Sequence, residues 1–278
     1  MYILYIGWLD DKIMSMKKMR LDQLIVERRL VETMSKANGF IMAGQVLVNG
    51  EIVDKKGTMV LVDSKVYIDK GMRYVSRGGL KLEKALSTWS ISVDNVVCAD
   101  VGISTGGFTD CMLQNGAKRV YGVDVGKGIV HWKLRQDKRV ILLENTNARY
   151  LDVLPEVPAL VTVDVAFISL RLLLAKVRGW LNDRGGYILA LIKPQFEARR
   201  NEVGKGGVVR SAKIHREVLE RILEHSIKIG LRPLGLVKSP ILGASGNLEF
   251  FLYLSNNRDE IGVNPEKLID MAMEDKDD

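Results

Sequence analysis

Asp164, Lys193 and Glu249 stand where apolar runs end or begin: VTVDVAF, LALIKPQFE and GNLEFFLYL. A second lysine, Lys81, lies in SRGGLKLEKAL. A charge at the end of a buried strand is costly unless it is paired or put to use. The plain reading of Lys193 is a salt bridge to Asp164 or Glu249. The chemical reading is a general base for a weakly acidic hydroxyl, which requires some of the lysine to be neutral. A neighbouring lysine and desolvation lower a lysine pKa, whereas carboxylates raise it while fixing its position; residue types alone leave that balance open.

The other chemical feature is the glycine-rich loop in ADVGISTGGFTDCML, Ala99 to Leu113. A dinucleotide fingerprint needs Gly-x-Gly-x-x-Gly, and position 104 is Ser. A nucleophile elbow, Gly-x-Ser-x-Gly, is spelled by Gly102-Ile103-Ser104-Thr105-Gly106, with Asp164 and His225 following in hydrolase order. His225, however, falls inside the helical pattern HREVLERILEHSIKIG, and the elbow leaves Asp124 unexplained. S-adenosyl-L-methionine accounts for more. Gly102, Gly106 and Gly107 permit close backbone approach, Ser104, Thr105 and Phe108 share the turn, and Asp100 ends the strand before it. Asp124, 22 residues beyond Gly102, ends the next strand, where a carboxylate can accept from two vicinal ribose hydroxyls. Asn147, after the third strand, is the candidate for adenine, and Asp164 borders cofactor and acceptor alike. GVDVGKG is not a phosphate cradle, because the spacing before Lys127 is short and no Ser or Thr follows.

These residues have to meet at one end of a sheet. Near-continuous apolar runs in VVCADV, RVYGVDV, VILLEN, ALVTVDV, GYILALIKP, PLGLVKSP and LEFFLYL predict strands buried on both faces. Amphipathic segments such as GGFTDCMLQNG and ISLRLLLAKVRGW separate them, so the fold class is α/β, a mostly parallel, doubly wound, Rossmann-like sheet of seven strands. The last two runs, joined by ILGASGN, suit an antiparallel hairpin at the sheet's end. Ahead of this lies a smaller α+β unit. MRLDQLIVERRL puts Leu21, Leu24 and Ile25 on one helical face, and Thr33 or Ser35 can cap a second helix through SKANGFIMAG that stops at Gly44. QVLVNGEIV alternates around Asn49-Gly50, a hairpin turn, and SKVYID gives a further strand. The expected division is an N-terminal extension 1–18, the small unit 19–70, a linker 71–78, the large unit 79–257 and a tail 258–278.

The 278 residues carry a net charge of +7, with an acidic end, MAMEDKDD. A basic body is compatible with a polyanion partner, though charge alone is a weak sign. Two cysteines, Cys98 and Cys111, exclude a disulfide framework and point to the cytoplasm. Three histidines without a Cys/His cluster predict no metal. The N-terminal run in MYILYIGWLDDK is too short to span a bilayer and lacks signal-peptide flanks; it reads as an extra strand or an overextended start.

The strings RLDQLIVERRLVETMSKA, IMAGQVLVNGEIV and KGTMV resemble the S4 RNA-binding domain. That resemblance implies binding to structured RNA through Arg20, Arg28, Arg29, Lys36, Lys55 and Lys56, with Arg77 beyond them; Asn38-Gly39-Phe40 departs from the usual polar, alanine-rich second helix. The large unit resembles the FtsJ class of ribose 2′-O-methyltransferases, whose Lys-Asp-Lys-Glu tetrad Lys81, Asp164, Lys193 and Glu249 match in order and context. From about Arg20 to Leu254 the chain is similar to the TlyA family, also named hemolysin A, on YVSRGGLKL, DVGISTGGFTDCMLQNGAKRVYGVDVG, DVAFISL, IKPQFEA and VGKGGVVR. Two departures are Ile103 for the usual Ala, expected to crowd the cofactor's amino-acid end, and Ala166 for Ser, which removes a hydroxyl near Asp164. The resemblance implies S-adenosylmethionine-dependent 2′-O-methylation of cytidine in ribosomal RNA, with ribosomal RNA or subunits as partner and no membrane. Lys193 is then the base, Lys81 its tuning neighbour, and the NEVGKGGVVR loop is expected to move over the substrate. The rivals are a non-catalytic RNA-binding or ribosome-assembly factor, a serine hydrolase acting through Ser104, and membrane lysis.

Overall fold

A computed structural model describes residues 17–274 other than Lys70, Met72, Asp183 and Arg184, and, for Ala244, the backbone alone. The N-terminal run discussed above lies outside the described residues. The chain divides into two compact units, residues 1–77 and 78–278.

In the first unit, strand β1 (Lys18–Arg20) leads into helix α1 (Leu21–Glu27). Leu21, Leu24 and Ile25 are buried on its inner face, as their spacing requires. Helix α2 (Met34–Met42) begins where Thr33 Oγ1 accepts the Lys36 N–H at 3.2 Å. It closes before Gly44, whose φ of +69° suits a glycine after a helix end. Strands β2 (Val46–Val48) and β3 (Glu51–Ile52) form the hairpin around Asn49 and Gly50, both at positive φ. Strand β4 (Met59–Leu61) pairs with β1, and β5 (Val66–Ile68) pairs with β2. The β1–β4 ribbon was not expected. Three residues a side are too few to show an alternating pattern.

The second unit opens with α3 (Gly78–Thr88), then β6 (Val97–Val101), α4 (Gly107–Gln114), β7 (Arg119–Val123), α5 (Trp132–Arg135), β8 (Val140–Leu143) and β9 (Leu160–Val163). It continues through α6 (Leu174–Arg178), β10 (Tyr187–Ile192), α7 (Pro194–Glu197), α8 (Ala212–Lys228), β11 (Arg232–Lys238), β12 (Phe250–Ser255) and α9 (Pro265–Glu274). The sheet order is β11-β12-β10-β9-β6-β7-β8, parallel from β10 to β8, with β12 antiparallel to both neighbours. The expected class is therefore observed, including the terminal hairpin, whose last strand inserts between β10 and β11. The order of strand addition reverses at β6, which has β9 on one side and β7 on the other, both parallel to it. Loops leaving these strands diverge there and open a crevice at their carboxyl ends.

Two expectations need correcting. ISLRLLLAKVRGW is not one helix: a single tight turn at Leu170–Leu172 precedes the short α6. The segment beyond 257 is not wholly a tail, because α9 buries Leu268, Ile269 and Ala272 in the main core. Their spacing is that of one helical face.

Candidate active site

The crevice is a cavity of about 390 Å³ walled by the ends of β6, β7 and β9 and the segment after β8. Gly102, at φ +83°, makes its upper edge; its N–H donates to Val123 O at 2.8 Å, and a Cβ there would overlap the backbone carbonyl of Asp164. Only glycine allows the β6 loop this close to the end of β9. Ser104, also at positive φ, donates its N–H to Asp124 Oδ2 at 2.9 Å, while Asp124 Oδ1 accepts from the Gly126 N–H at 2.7 Å. Each carboxylate oxygen keeps acceptor capacity for a further hydroxyl. Asn147 lines the cavity and uses Oδ1 to cap the next turn through the Arg149 N–H, 3.0 Å. A glycine edge, a carboxylate beside it and the apolar walls Val125 and Ile129 fit an adenosine bearing an amino-acid end.

Gly102, Ser104, Asp124, Asn147 and Asp164 line this cavity, whereas Asp100, Thr105, Gly106, Gly107 and Phe108 are not among its lining residues. The reason is that α4 starts at once and turns them inward. Phe108 packs its ring 5.8 Å from that of Phe251, Thr105 O accepts the His131 N–H at 3.1 Å, and a side chain at Gly106 would overlap Leu134. Ile103 does not crowd the cavity either: its side chain lies over Gly122, on β7, and is buried there.

Asp100 is buried beneath the loop, accepting from Thr109 Oγ1 at 2.6 Å and Thr162 Oγ1 at 3.0 Å. Burial pushes its carboxyl up to about 6 against those bonds, from an ordinary 3.8. Between these values the folded protein holds more protons than the unfolded chain, so this group's contribution to stability falls as pH rises. Asp100→Asn removes it. The melting temperature of the variant minus that of wild type is expected to become more positive from about pH 4.5 to about pH 7.5. A constant difference would show that Asp100 does not titrate in this window.

The four polar residues are brought together in two ion pairs. Asp164 follows β9 and Lys193 follows β10, its neighbour in the sheet; Lys193 Nζ lies 2.5 Å from Asp164 Oδ1. Ile192 pairs with Phe250 across β10 and β12, so the next residues outward are Lys193 and Glu249. Glu249 Oε2 accepts from Lys81 Nζ, on α3, at 2.6 Å. Burial works against the charge on Asp164, but Lys193 and Lys81 outweigh it and hold the carboxyl below the ordinary range. Burial likewise favours neutral Lys193, and Asp164 and Glu249 outweigh it, holding the lysine above its ordinary value. The resting site thus contains a protonated Lys193, as the salt-bridge reading requires. The hydrolase triad is not assembled, since Asp164 is held by Lys193 and His225 sits within α8.

Phe167 was missed by sequence reasoning. It lines the cavity at φ +63° and is 90% exposed, with its ring 5.0 Å from Phe196. The signal was the aromatic three residues past Asp164 in DVAF. Glu197 was also missed; it accepts from Ser169 Oγ and the Leu170 N–H, both at 2.6 Å, and so fixes the segment that follows Phe167.

In the first unit, Arg29, Lys55 and Lys56 are exposed. Arg28 is spent on the fold: its guanidinium donates to the carbonyls of Ser64, at 2.6 Å, and Val62. Arg20 is paired with buried Asp22, Lys36 with Glu32, and the Arg77 side chain lies against Gly44.

The FtsJ-like methyltransferase family model matches residues 74–256, and the S4 domain model matches residues 19–66. YqxC of Bacillus subtilis, provisionally named an rRNA methyltransferase, is 51% identical over 246 residues, covering 87% of each chain. The 16S/23S rRNA (cytidine-2′-O)-methyltransferase TlyA of Mycobacterium tuberculosis is 37% identical over 249 residues, 87% of this chain and 92% of that one. A solved structure from Streptococcus thermophilus, provisionally named a hemolysin, is 42% identical with a TM-score of 0.71, covering 92% of this chain and 96% of that one. An S4 domain followed by an FtsJ-like methyltransferase, shared along most of the chain with these relatives, makes this protein a member of the TlyA family of rRNA methyltransferases.

Proposed function

We propose that this chain methylates the 2′-hydroxyl of a cytidine in ribosomal RNA, using S-adenosyl-L-methionine held along Gly102, Ser104, Asp124 and Asn147. The observation that carries this reading is the junction of cavity and ion pairs: Asp164 lines the one and anchors Lys193 in the other. When bound, the cofactor supplies an electrophilic methyl group on a positively charged sulfonium. Asp164 lines the cavity and keeps Lys193 beside it. A cation bound in the cavity near Asp164 would share that carboxylate with Lys193 and weaken the pull that keeps the lysine protonated. Lys193 then takes the hydroxyl proton as the oxygen attacks, while Lys81 and Glu249 hold the neighbouring charge balance. A cytidine paired in a helix must be turned out to reach this point. The S4 domain and the rRNA methyltransferase relatives support ribosomal RNA as the substrate, and with it ribosomal subunits in the cytoplasm as the partner. Among the described residues no helix is long and apolar enough to cross a membrane, and no group of three His, Cys, Asp or Glu could hold a metal.

The test is to incubate purified 30S and 50S subunits with radiolabelled cofactor and digest the RNA with alkali. Label in alkali-resistant dinucleotides containing cytidine supports the reading, and the labelled subunit locates the target. Label confined to mononucleotides would mean base methylation and would overturn it.

In the S4 unit, Arg29→Ala and Lys56→Ala are each expected to reduce the slope of log affinity against log salt by about 1, the mark of one lost phosphate contact. Arg28→Ala is expected to lower the unit's melting temperature instead, because two carbonyls lose their donor. Salt-dependent RNA binding and thermal melting of the three variants separate these roles. A full change of salt slope in Arg28→Ala without loss of stability would reverse the assignment.

A further inference from the structure

The turn between β11 and β12 holds two parts of the second unit at once. Asn247, 2% exposed, accepts the Val209 N–H at 3.0 Å through Oδ1 and donates through Nδ2 to Gly207 O at 2.9 Å. Its own carbonyl accepts the Gly243 N–H at 2.8 Å, closing the turn. Gly243 in turn is the seat of Glu249: a Cβ at Gly243 would overlap the Glu249 carboxylate. On the far side, His215 Nε2 bonds Val209 O at 3.1 Å, and the Gly204 N–H reaches Val208 O at 3.0 Å. The glycine-rich loop that the sequence marks as mobile is therefore anchored at Val209 by both its N–H and its carbonyl. What it presents to solvent is Lys205 and Arg210, cations suited to the phosphates beside an acceptor nucleotide.

We propose that Asn247 is a positioning residue for methyl transfer: it bolts the Gly204–Val209 loop to the turn whose Gly243 seats the Glu249 carboxylate, so that one side chain sets both the phosphate-facing loop and the Lys81–Glu249 pair. This rests on the ribose-methylating reading above. Asn247 is not among the residues lining the cavity and belongs to neither ion pair, so its loss should leave cofactor affinity in place and act on the acceptor side alone.

The experiment measures single-turnover 2′-O-methylation of purified subunits by wild type, Asn247→Ala, Asn247→Asp and Gly243→Ala, with cofactor affinity and melting temperature alongside. Asn247→Ala and Gly243→Ala are expected to lose about 10–100-fold in rate at saturating RNA, the effect of a misplaced catalytic group, with cofactor affinity within about twofold of wild type. The rising limb of the pH–rate profile should move to lower pH in both, because a displaced Glu249 no longer helps to keep Lys193 protonated. In Asn247→Asp the carboxylate still accepts from Val209 but cannot donate to Gly207 until it is protonated, so its deficit against wild type should shrink as pH falls. Wild-type rates in Asn247→Ala would overturn the inference. So would losses that track melting temperature and cofactor affinity with an unmoved pH profile, the pattern of a merely structural residue. Subunits left unlabelled by wild type itself would remove the underlying reading, an outcome visible without any variant.

Discussion

Lys193→Ala should lose at least about 10³-fold in methyl transfer while still binding S-adenosylmethionine, because the lysine stands beside the cavity and not along the glycine edge that receives the cofactor. The variant also leaves Asp164 with only the more distant charge of Lys81. Breaking a buried pair from one side costs about 3–5 kcal/mol, which is to be discounted here because both side chains keep some exposure to solvent. A fall in melting temperature is therefore expected alongside the lost activity, and the two have to be separated. Adding Asp164→Asn to Lys193→Ala should recover much of the stability and none of the activity. Isothermal titration with cofactor, thermal melting and labelled-subunit assays on the single and double variants provide the check. Retained activity in the stable double variant would remove Lys193 from the chemistry; it is the absence of label with wild type itself that would bring forward the non-catalytic RNA-binding alternative.

Gly102→Ala is expected to cost at least about 100-fold in cofactor affinity, close to 3 kcal/mol at about 1.4 kcal/mol per factor of ten. Two penalties act at this position. A side chain at φ +83° carries about 1–2 kcal/mol of left-handed strain, and its methyl group would overlap a backbone carbonyl that no rotamer change can move aside. Relief requires the β6 loop and the end of β9 to separate, and that takes Asp164 away from Lys193. Gly128→Ala is the matched control, with φ +76° and open space where the methyl group would go. It should show the strain alone, a fall of a few degrees in melting temperature at about 2–4 °C per kcal/mol. Equal cofactor affinity in the two variants would mean that the close approach at Gly102 is not needed for binding.

The sheet was legible because its strands are buried on both faces, and unbroken runs such as Tyr187–Ile192 can be little else. The meeting of the four charged residues was legible for a related reason: a charge abutting such a run, like Lys193 after Ile192, has few neighbours to choose from. What the sequence hid was direction. Phe108 and Ile103 belong to the glycine-rich string yet point into the protein, because α4 begins within it. Arg28 looks like any basic residue of the first helix pair, and only the position of the carbonyls of Val62 and Ser64 shows that its charge is used internally. Asn247 and Gly243 were passed over as turn residues, since their role depends on a loop some forty residues earlier in the chain. Asp100 illustrates the converse. Its place at the end of β6 was clear, but the hydroxyls of Thr109 and Thr162, which turn it from a ligand-facing acid into a buried one, come from separate elements.

The insertion of β12 between β10 and β11 also sets when the Lys81–Glu249 pair can form. Lys81 and Glu249 are 168 residues apart, and Glu249 immediately precedes β12, the last strand of the sheet to be synthesised. A nascent chain that has emerged only through β11 can pair β6 to β10, but it presents the edge of β10 open and leaves Lys81 without its carboxylate. The entropy of closing so long a loop has to be lost before such a contact offsets it. The Lys81–Glu249 pair is thus complete only once β12 has docked between β10 and β11. A chain cut short before β12 would therefore be more than slightly impaired: it would lack the carboxylate partner of Lys81 and expose an unpaired apolar edge open to aggregation.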